Sequence, residues 1–258
     1  TNTITVKDIV VGEVWLCSGQ SNMKLPLSGV QEAVRECSDA KYPEIRLFTV
    51  PQSRAGEPLE TCGGTWEICT PESVTKFSAV GYLFGRELHK DLKKPMGLIC
   101  SAVGGTEIEL WIEYHVIKAV VEAAGDNAWP PYDPQIAEAK HQEALKNWAV
   151  AVEKAKAQGT HEPDKPRKAL DPKLRKRAPA DFYNGMIRPL IPYAIRGVIW
   201  YQGEWNAWNA YWYRTLLPLL INDWRSRWGQ GDFPFGIVQL ANHGDVQTEP
   251  VEKSAWAE

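Results

Sequence analysis

Five short apolar runs punctuate the chain without alternation: 12–17 (GEVWLC), 44–50 (EIRLFTV), 96–102 (MGLICSA), 196–202 (RGVIWYQ) and 234–241 (PFGIVQLA). Such runs suit strands covered on both faces. Between them the period lengthens. Residues 78–94 carry Val80, Leu83, Phe84 and Leu88 at helical spacing, and Pro95 stops the pattern. Residues 210–228 repeat apolar positions in the same way. Alternating strands and helices predict an α/β fold, a three-layer, doubly wound, flavodoxin-like parallel sheet of about five strands.

The stretch 126–180 departs from this rhythm. It holds 11 of the 29 Lys and Arg residues. Its middle, PQIAEAKHQEALKNWAVAVEKAKAQ, reads as an exposed helix with Glu/Lys pairing, and THEPDKPRKALDPKLRKRAP reads as a Pro-broken basic loop. No aromatic residues interleave the KLRKR run, so a solvated insertion is expected rather than a nucleic-acid patch. The chain is read as one domain over 1–258, incomplete at both ends, with this insertion inside it.

Composition adds limits. The 258 residues are 44% apolar and 24% charged, enough for a sizeable core. A net charge of −3 gives no general attraction to nucleic acid or anionic membrane. No apolar run has the length of a membrane span, and the opening TNTITVKDIV lacks a basic start and an apolar signal core. With no initiator Met, the chain is expected to be a processed or trimmed product. Five cysteines, Cys17, Cys37, Cys62, Cys69 and Cys100, leave at least one without a partner in the chain, and none has zinc-site spacing. Cys62 and Cys69 flank a Gly-rich turn and either pair under oxidising conditions or stay as thiols.

Chemistry is concentrated where small polar residues interrupt the runs. VWLCSGQSNM (14–23) breaks from a strand into Ser18, Gly19, Gln20, Ser21 and Asn22. Gly104, Gly105 and Thr106 follow the third run. Gln202, Gly203, Glu204 and Asn206 follow the fourth. In open parallel sheets ligands bind outside the carboxyl ends of strands, so all three turns are expected at one rim. Together they suit acyl transfer. A serine at a helix start lies near backbone N–H groups that stabilise an oxyanion, and a Gly-Gly turn or an amide adds further donors. The pentapeptide alone reads more readily as a helix cap, and it is not the GxSxG elbow of α/β-hydrolases.

The blocks GEVWLCSGQSNM, FSAVGYLFGREL, GLICSAVGGTEIELWI and YNGMIRPLIPYAIRGVIWYQGEWNA closely resemble the sialate O-acetylesterase group of SGNH hydrolases, carbohydrate esterases related to some acetylxylan esterases. The resemblance implies an O-acetylated sugar or glycan as substrate, no cofactor and no metal, and secretion to an extracellular or periplasmic space. It implies Ser21 as nucleophile, with oxyanion donors from Ser21 itself and from Gly104 or Gly105. Gln202 and Asn206 both stand as candidates for the amide donor. Gln20, Asn22, Glu204, Trp205, Tyr183, Asn184 and Arg188 are the implied substrate-binding residues, with Trp15 also implied near the pocket.

Two departures stand out. Trp205 replaces the small Ser of the family's YQGESNA, which either narrows the pocket or offers a stacking surface for a sugar face. Trp212, further along, is expected to be packing. The family's general base lies in a late Asp-x-x-His block, and none of His89, His115, His141, His161 and His243 has Asp three residues earlier. His243, in NHGD with Asp245 as orienter, is the candidate substitute. The family continues into another strand and the Asp-x-x-His loop, so a piece of a larger enzyme is expected, and a chain without its base would turn over poorly or only bind sugar.

Overall fold

The computed structural model describes residues 5, 7–125, 133–163, 165–166 and 179–241. The chain forms two compact units, Thr1–Ala123 with Ala178–Glu258, and Ala124–Arg177. In the first unit six strands make one sheet: β1 (Glu13–Gly19), β2 (Tyr42–Thr49), β3 (Trp66–Cys69), β4 (Met96–Ala102), β5 (Gly197–Tyr201) and β6 (Phe235–Ile237). Their order is β3-β2-β4-β1-β5-β6, parallel except for β3, which runs antiparallel at one edge. The helices are α1 (Ser21–Lys24), α2 (Ala33–Ser38), α3 (Pro71–Val74), α4 (Ala79–Leu92), α5 (Tyr114–Ala124), α6 (Pro134–Gln158) and α7 (Ala210–Trp228).

Five of the six strands coincide with the apolar runs, though the last is shorter than the run 234–241 that predicts it. The sixth, β3, lies in TCGGTWEIC, read above only as a possible disulfide turn. Cys62 and Cys69 are both free thiols, and burial pushes Cys69 up to about 12.

The sheet is covered on both faces. Gly81 and Gly85 of α4 lie against Cys17 and Leu98. Ile199 pairs in register with Cys17 and shares that core. Trp200 alternates to the other face, where it meets Trp224 of α7 edge-on at 5.7 Å. Trp224 in turn donates its indole N–H to the Trp111 carbonyl at 2.9 Å. Trp212 is buried in the same helix, as packing.

The chain leaves β1 toward β2 on one side and later returns to β5 on the other. The carboxyl ends of β1 and β5 therefore flank the point where the connections diverge, where open α/β sheets form a crevice. Gly19 brings the two strands together there. Its φ is +138°, and a Cβ on it would stand 2.1 Å from the Tyr201 carbonyl oxygen. Gln20 N–H donates to that same oxygen at 2.9 Å. Only glycine allows this approach.

In the second unit α6 begins at Asp133, whose carboxylate accepts from the Gln135 and Ile136 N–H groups at 2.7 and 3.2 Å, and ends at left-handed Gly159. It covers the helix expected from the sequence. Among the described residues no helix is long and apolar enough to cross a membrane.

Candidate functional site

Ser21 is exposed and is the first residue of α1. The strand delivers it: Leu16, Cys17 and Ser18 are fully buried, and Ser18 is used internally, donating to the Ser101 carbonyl at 2.6 Å. The two serines of the motif are thus separated by environment. α1 is short and has no side-chain cap at its N-terminus, so the first N–H groups of the turn at Ser21 have no intrahelical acceptor. The turn is held from behind. Met23 is buried, and its carbonyl accepts from Ser78 Oγ at 2.6 Å. The same hydroxyl caps α4 by accepting Gly81 N–H at 3.0 Å. This is the structural content of the FSAVGY block.

The Gly-Gly turn stands beside the serine. A Cβ on Gly104 would lie 3.4 Å from Ser21 Cβ and 3.6 Å from its Cα. Gly105 takes φ +66°, and a Cβ on it would point into open space. Val103 N–H donates to the Gly19 carbonyl at 3.1 Å, tying this turn to the serine turn.

The β5 turn closes the third side through side-chain amides. Gln20 is buried, and its Oε1 accepts from Gly203 N–H at 3.4 Å and from Trp205 N–H at 3.3 Å. Asn22 Nδ2 donates to Glu204 Oε1 at 2.5 Å. Gln202 Nε2 donates to the Thr106 carbonyl at 3.0 Å and to Asn206 Oδ1 at 2.7 Å. Asn206 Oδ1 also accepts from Ile108 N–H, and its Nδ2 donates to Glu109 Oε2, both at 3.0 Å. Behind Gln202, Tyr213 donates its hydroxyl to the Gln202 carbonyl at 2.9 Å, and burial keeps that phenol protonated by pushing it up. Trp205 is 42% exposed, with its indole N–H held by Glu107 Oε1 at 2.8 Å. Two acceptors near the rim, Gln202 Oε1 and Glu204 Oε2, are covered and have no partner among the described residues.

Ser21, Gly104, Gly105, Gln20, Asn22, Gln202, Glu204, Trp205 and Asn206 are therefore brought to one rim. Gln20 has a structural share in the rim as well, because its side-chain oxygen is turned inward onto backbone N–H groups. Three other expected binding residues are placed elsewhere. Tyr183 and Asn184 are buried in a π-helical turn, Tyr183–Ile187. Asn184 Nδ2 donates to the Ala55 carbonyl at 3.0 Å. The Tyr183 ring lies under the Arg227 guanidinium, 5.6 Å away near the far end of α7. Arg188 pairs with Glu60 at 3.4 Å. These residues hold the 53–60 loop and α7 rather than the serine turn. Trp15 is buried against Phe84, 4.9 Å between rings, lower in β1.

Neither described histidine of the first unit stands by Ser21. His89 Nδ1 meets the Lys94 carbonyl at 2.7 Å, beside the start of β4 and so at the amino ends of the parallel strands, away from the rim. His115 lies next to Glu113, which pairs with Arg227 near the end of α7. His141 and His161 belong to the second unit. His243 and Asp245 lie outside the described residues. Among the described residues no group of three His, Cys, Asp or Glu side chains is placed to hold a metal ion.

Comparison with known proteins adds to this geometry. A family profile described as carbohydrate esterase, sialic acid-specific acetylesterase, matches residues 11–159 and 173–257. The chain is 35% identical to a sialate O-acetylesterase of Mus musculus over 264 residues, covering 93% of this chain and 45% of the relative. It is 33% identical to the Homo sapiens sialate O-acetylesterase, covering 93% and 42% respectively. It thus spans less than half the length of the curated relatives it matches. A crystal structure of a carbohydrate acetylesterase from Xanthomonas citri superposes with a TM-score of 0.68 at 30% identity, covering 95% of this chain and 45% of that one.

Proposed function

The chain belongs to the sialic acid-specific acetylesterase family of carbohydrate esterases, and from this we propose that it removes O-acetyl groups from sialic acid or a related sugar through an acetyl-enzyme on Ser21. The observation that carries the reading is the placement of an exposed serine at the uncapped first turn of α1, with Gly104 packed against it.

Ser21 Oγ attacks the acetyl carbonyl carbon as its proton passes to a base. The carbonyl oxygen becomes an oxyanion. The ester bond to the sugar then breaks, and the departing sugar oxygen takes the proton. Water repeats the sequence on the acetyl-enzyme and releases acetate. The Ser21 and Gly104 N–H groups are the backbone donors for the oxyanion, a class of contact worth about 10²–10³ in rate each. The amide network favours Asn206 over Gln202 as a further donor. Gln202 commits both Nε2 hydrogens to Thr106 and Asn206, whereas among the described residues Asn206 Nδ2 makes one bond, to Glu109. His243, with Asp245 as its candidate orienter, is the candidate substitute base that the sequence offers, and both lie outside the described residues.

The test is acetate release from O-acetyl sialic acid and from acetylated xylan by the wild type and by Ser21→Ala. The variant is expected to lose turnover on every ester, to background, with unchanged folding. Undiminished deacetylation by Ser21→Ala refutes the assignment. Preference between the two substrates separates a sialate esterase from an acetylxylan-type one. Sugar binding with no hydrolysis even of p-nitrophenyl acetate marks a binding relative without its base.

A further inference from the structure

We propose that Gln20 is a positioning residue: it registers the turn carrying the exposed indole of Trp205 against Ser21, and so sets the preference for sugar esters over small esters. The inference rests on the Ser21 reading above.

Gln20 is 3% exposed, and its side-chain oxygen faces backbone rather than solvent. All its described bonds are internal. Its N–H meets the Tyr201 carbonyl at 2.9 Å, and its carbonyl accepts from Lys24 N–H at 3.0 Å, closing the turn of α1. Its side-chain oxygen receives the Gly203 and Trp205 N–H groups at 3.4 and 3.3 Å. Both contacts are long, as expected for two donors sharing one oxygen. One residue therefore fixes the backbone that presents Ser21 and the backbone that presents Trp205.

The indole has a second tether, its N–H to Glu107 Oε1 at 2.8 Å. With backbone and ring edge both held, the 42% of Trp205 that is exposed has a set orientation. A fixed aromatic face on the same rim as the nucleophile suits the apolar C–H face of a sugar ring, with the acetyl group reaching toward the serine. A small ester has no ring to place there and gains nothing from the indole. Removing the shared acceptor leaves Gly203 and Trp205 N–H groups without their partner, so the turn must move to find another.

Gln20→Met keeps the length and shape of the side chain and deletes the acceptor, while Gln20→Glu keeps the acceptor. Each is compared with wild type on O-acetyl sialic acid and on p-nitrophenyl acetate. Gln20→Met is expected to lower kcat/KM for the sugar ester about tenfold more than for the aryl ester, mainly through KM. Gln20→Glu is expected to restore the wild-type ratio to within about threefold. Equal loss on both esters, or an unchanged ratio, overturns the proposal and leaves Gln20 a purely structural residue. A second readout needs no turnover. In protein labelled with 5-fluorotryptophan, the fluorine resonance assigned by Trp205→Phe should shift in Gln20→Met and return in Gln20→Glu. An unmoved resonance also overturns the proposal. If the wild type cleaves neither ester, the Ser21 reading fails, and the fluorine spectrum alone decides the role of Gln20.

Discussion

Replacing Gly19 with alanine tests whether the approach of β1 to β5 builds the serine turn. A Cβ at this position would sit 2.1 Å from the Tyr201 carbonyl oxygen and 2.6 Å from its carbon, both backbone atoms that no rotamer change can clear. The φ of +138° adds a conformation that alanine resists, a cost of about 1–3 kcal/mol. Moving Tyr201 aside also loses the Gln20 N–H bond to it, worth about 1 kcal/mol. The sum for Gly19→Ala is about 2–4 kcal/mol. Gly105→Ala is the control. It takes φ +66° and a Cβ added there would meet nothing within 4 Å, so the alanine meets backbone strain without a clash, about 1–2 kcal/mol. Urea unfolding followed by near-ultraviolet circular dichroism of the core tryptophans compares the two at constant m-value. Gly19→Ala should be the less stable, by about 1.5 kcal/mol between the centres of the two ranges. Equal midpoints, or a less stable Gly105→Ala, would show that contact with Tyr201 does not hold the turn.

Ser78→Ala removes a helix cap and leaves the Met23 carbonyl without its donor. It should cost about 2 kcal/mol in urea unfolding, and a midpoint shift equal to that of an ordinary exposed Ser→Ala change would contradict the shared-hydroxyl role. The buried thiols predict alkaline behaviour. Burial raises Cys69 and Cys100 from 9.0 to about 12, and pushes Cys17 well up as well. The unfolded thiols ionise near 9 while the folded ones stay protonated, so the stability they support is present below pH 9 and is lost between 9 and 12. Unfolding midpoints measured from pH 8 to 11 should fall, and less steeply in a Cys69→Ala, Cys100→Ala background; a flat profile would argue against burial of these groups.

The strands flanking the site were legible because a parallel strand covered on both faces needs apolar residues at every position, and Leu16–Cys17, Leu98–Cys100 and Val198–Trp200 supply them. The edges were less legible. In β3 only Cys69 is buried, so Trp66–Cys69 carries too little apolar signal to stand out from the glycine turn before it. The last apolar run reads on to Ala241, but pairing with β5 ends at Ile237 because β5 itself ends at Tyr201. The polar break after a buried strand marked the turn, but the choice of Ser21 over Ser18 came from the family resemblance and not from the pattern. The role of Gln20 could not be read, since an amide beside a serine looks the same in sequence whether it faces a ligand or a backbone 183 residues away. Tyr183, Asn184 and Arg188 show the converse. They precede β5 closely in the chain, yet Asn184 and Arg188 are directed to the 53–60 loop and Tyr183 to Arg227 of α7.

The contacts that assemble the rim join very distant parts of the chain. Asn22 reaches Glu204 across 182 residues, Gln202 reaches the Thr106 carbonyl across 96, and Ser18 reaches the Ser101 carbonyl across 83. No local segment can rehearse this arrangement in the unfolded chain, and each closure carries its own entropic cost. Native contacts of such sequence separation are the slow ones to form. The same separations join β1 to β4 and β1 to β5, so the site forms together with the register of the central strands, and a misregistered but compact sheet would present a serine without its surroundings. Catalytic competence in this fold is consequently a stricter sign of correct folding than compactness or helix content.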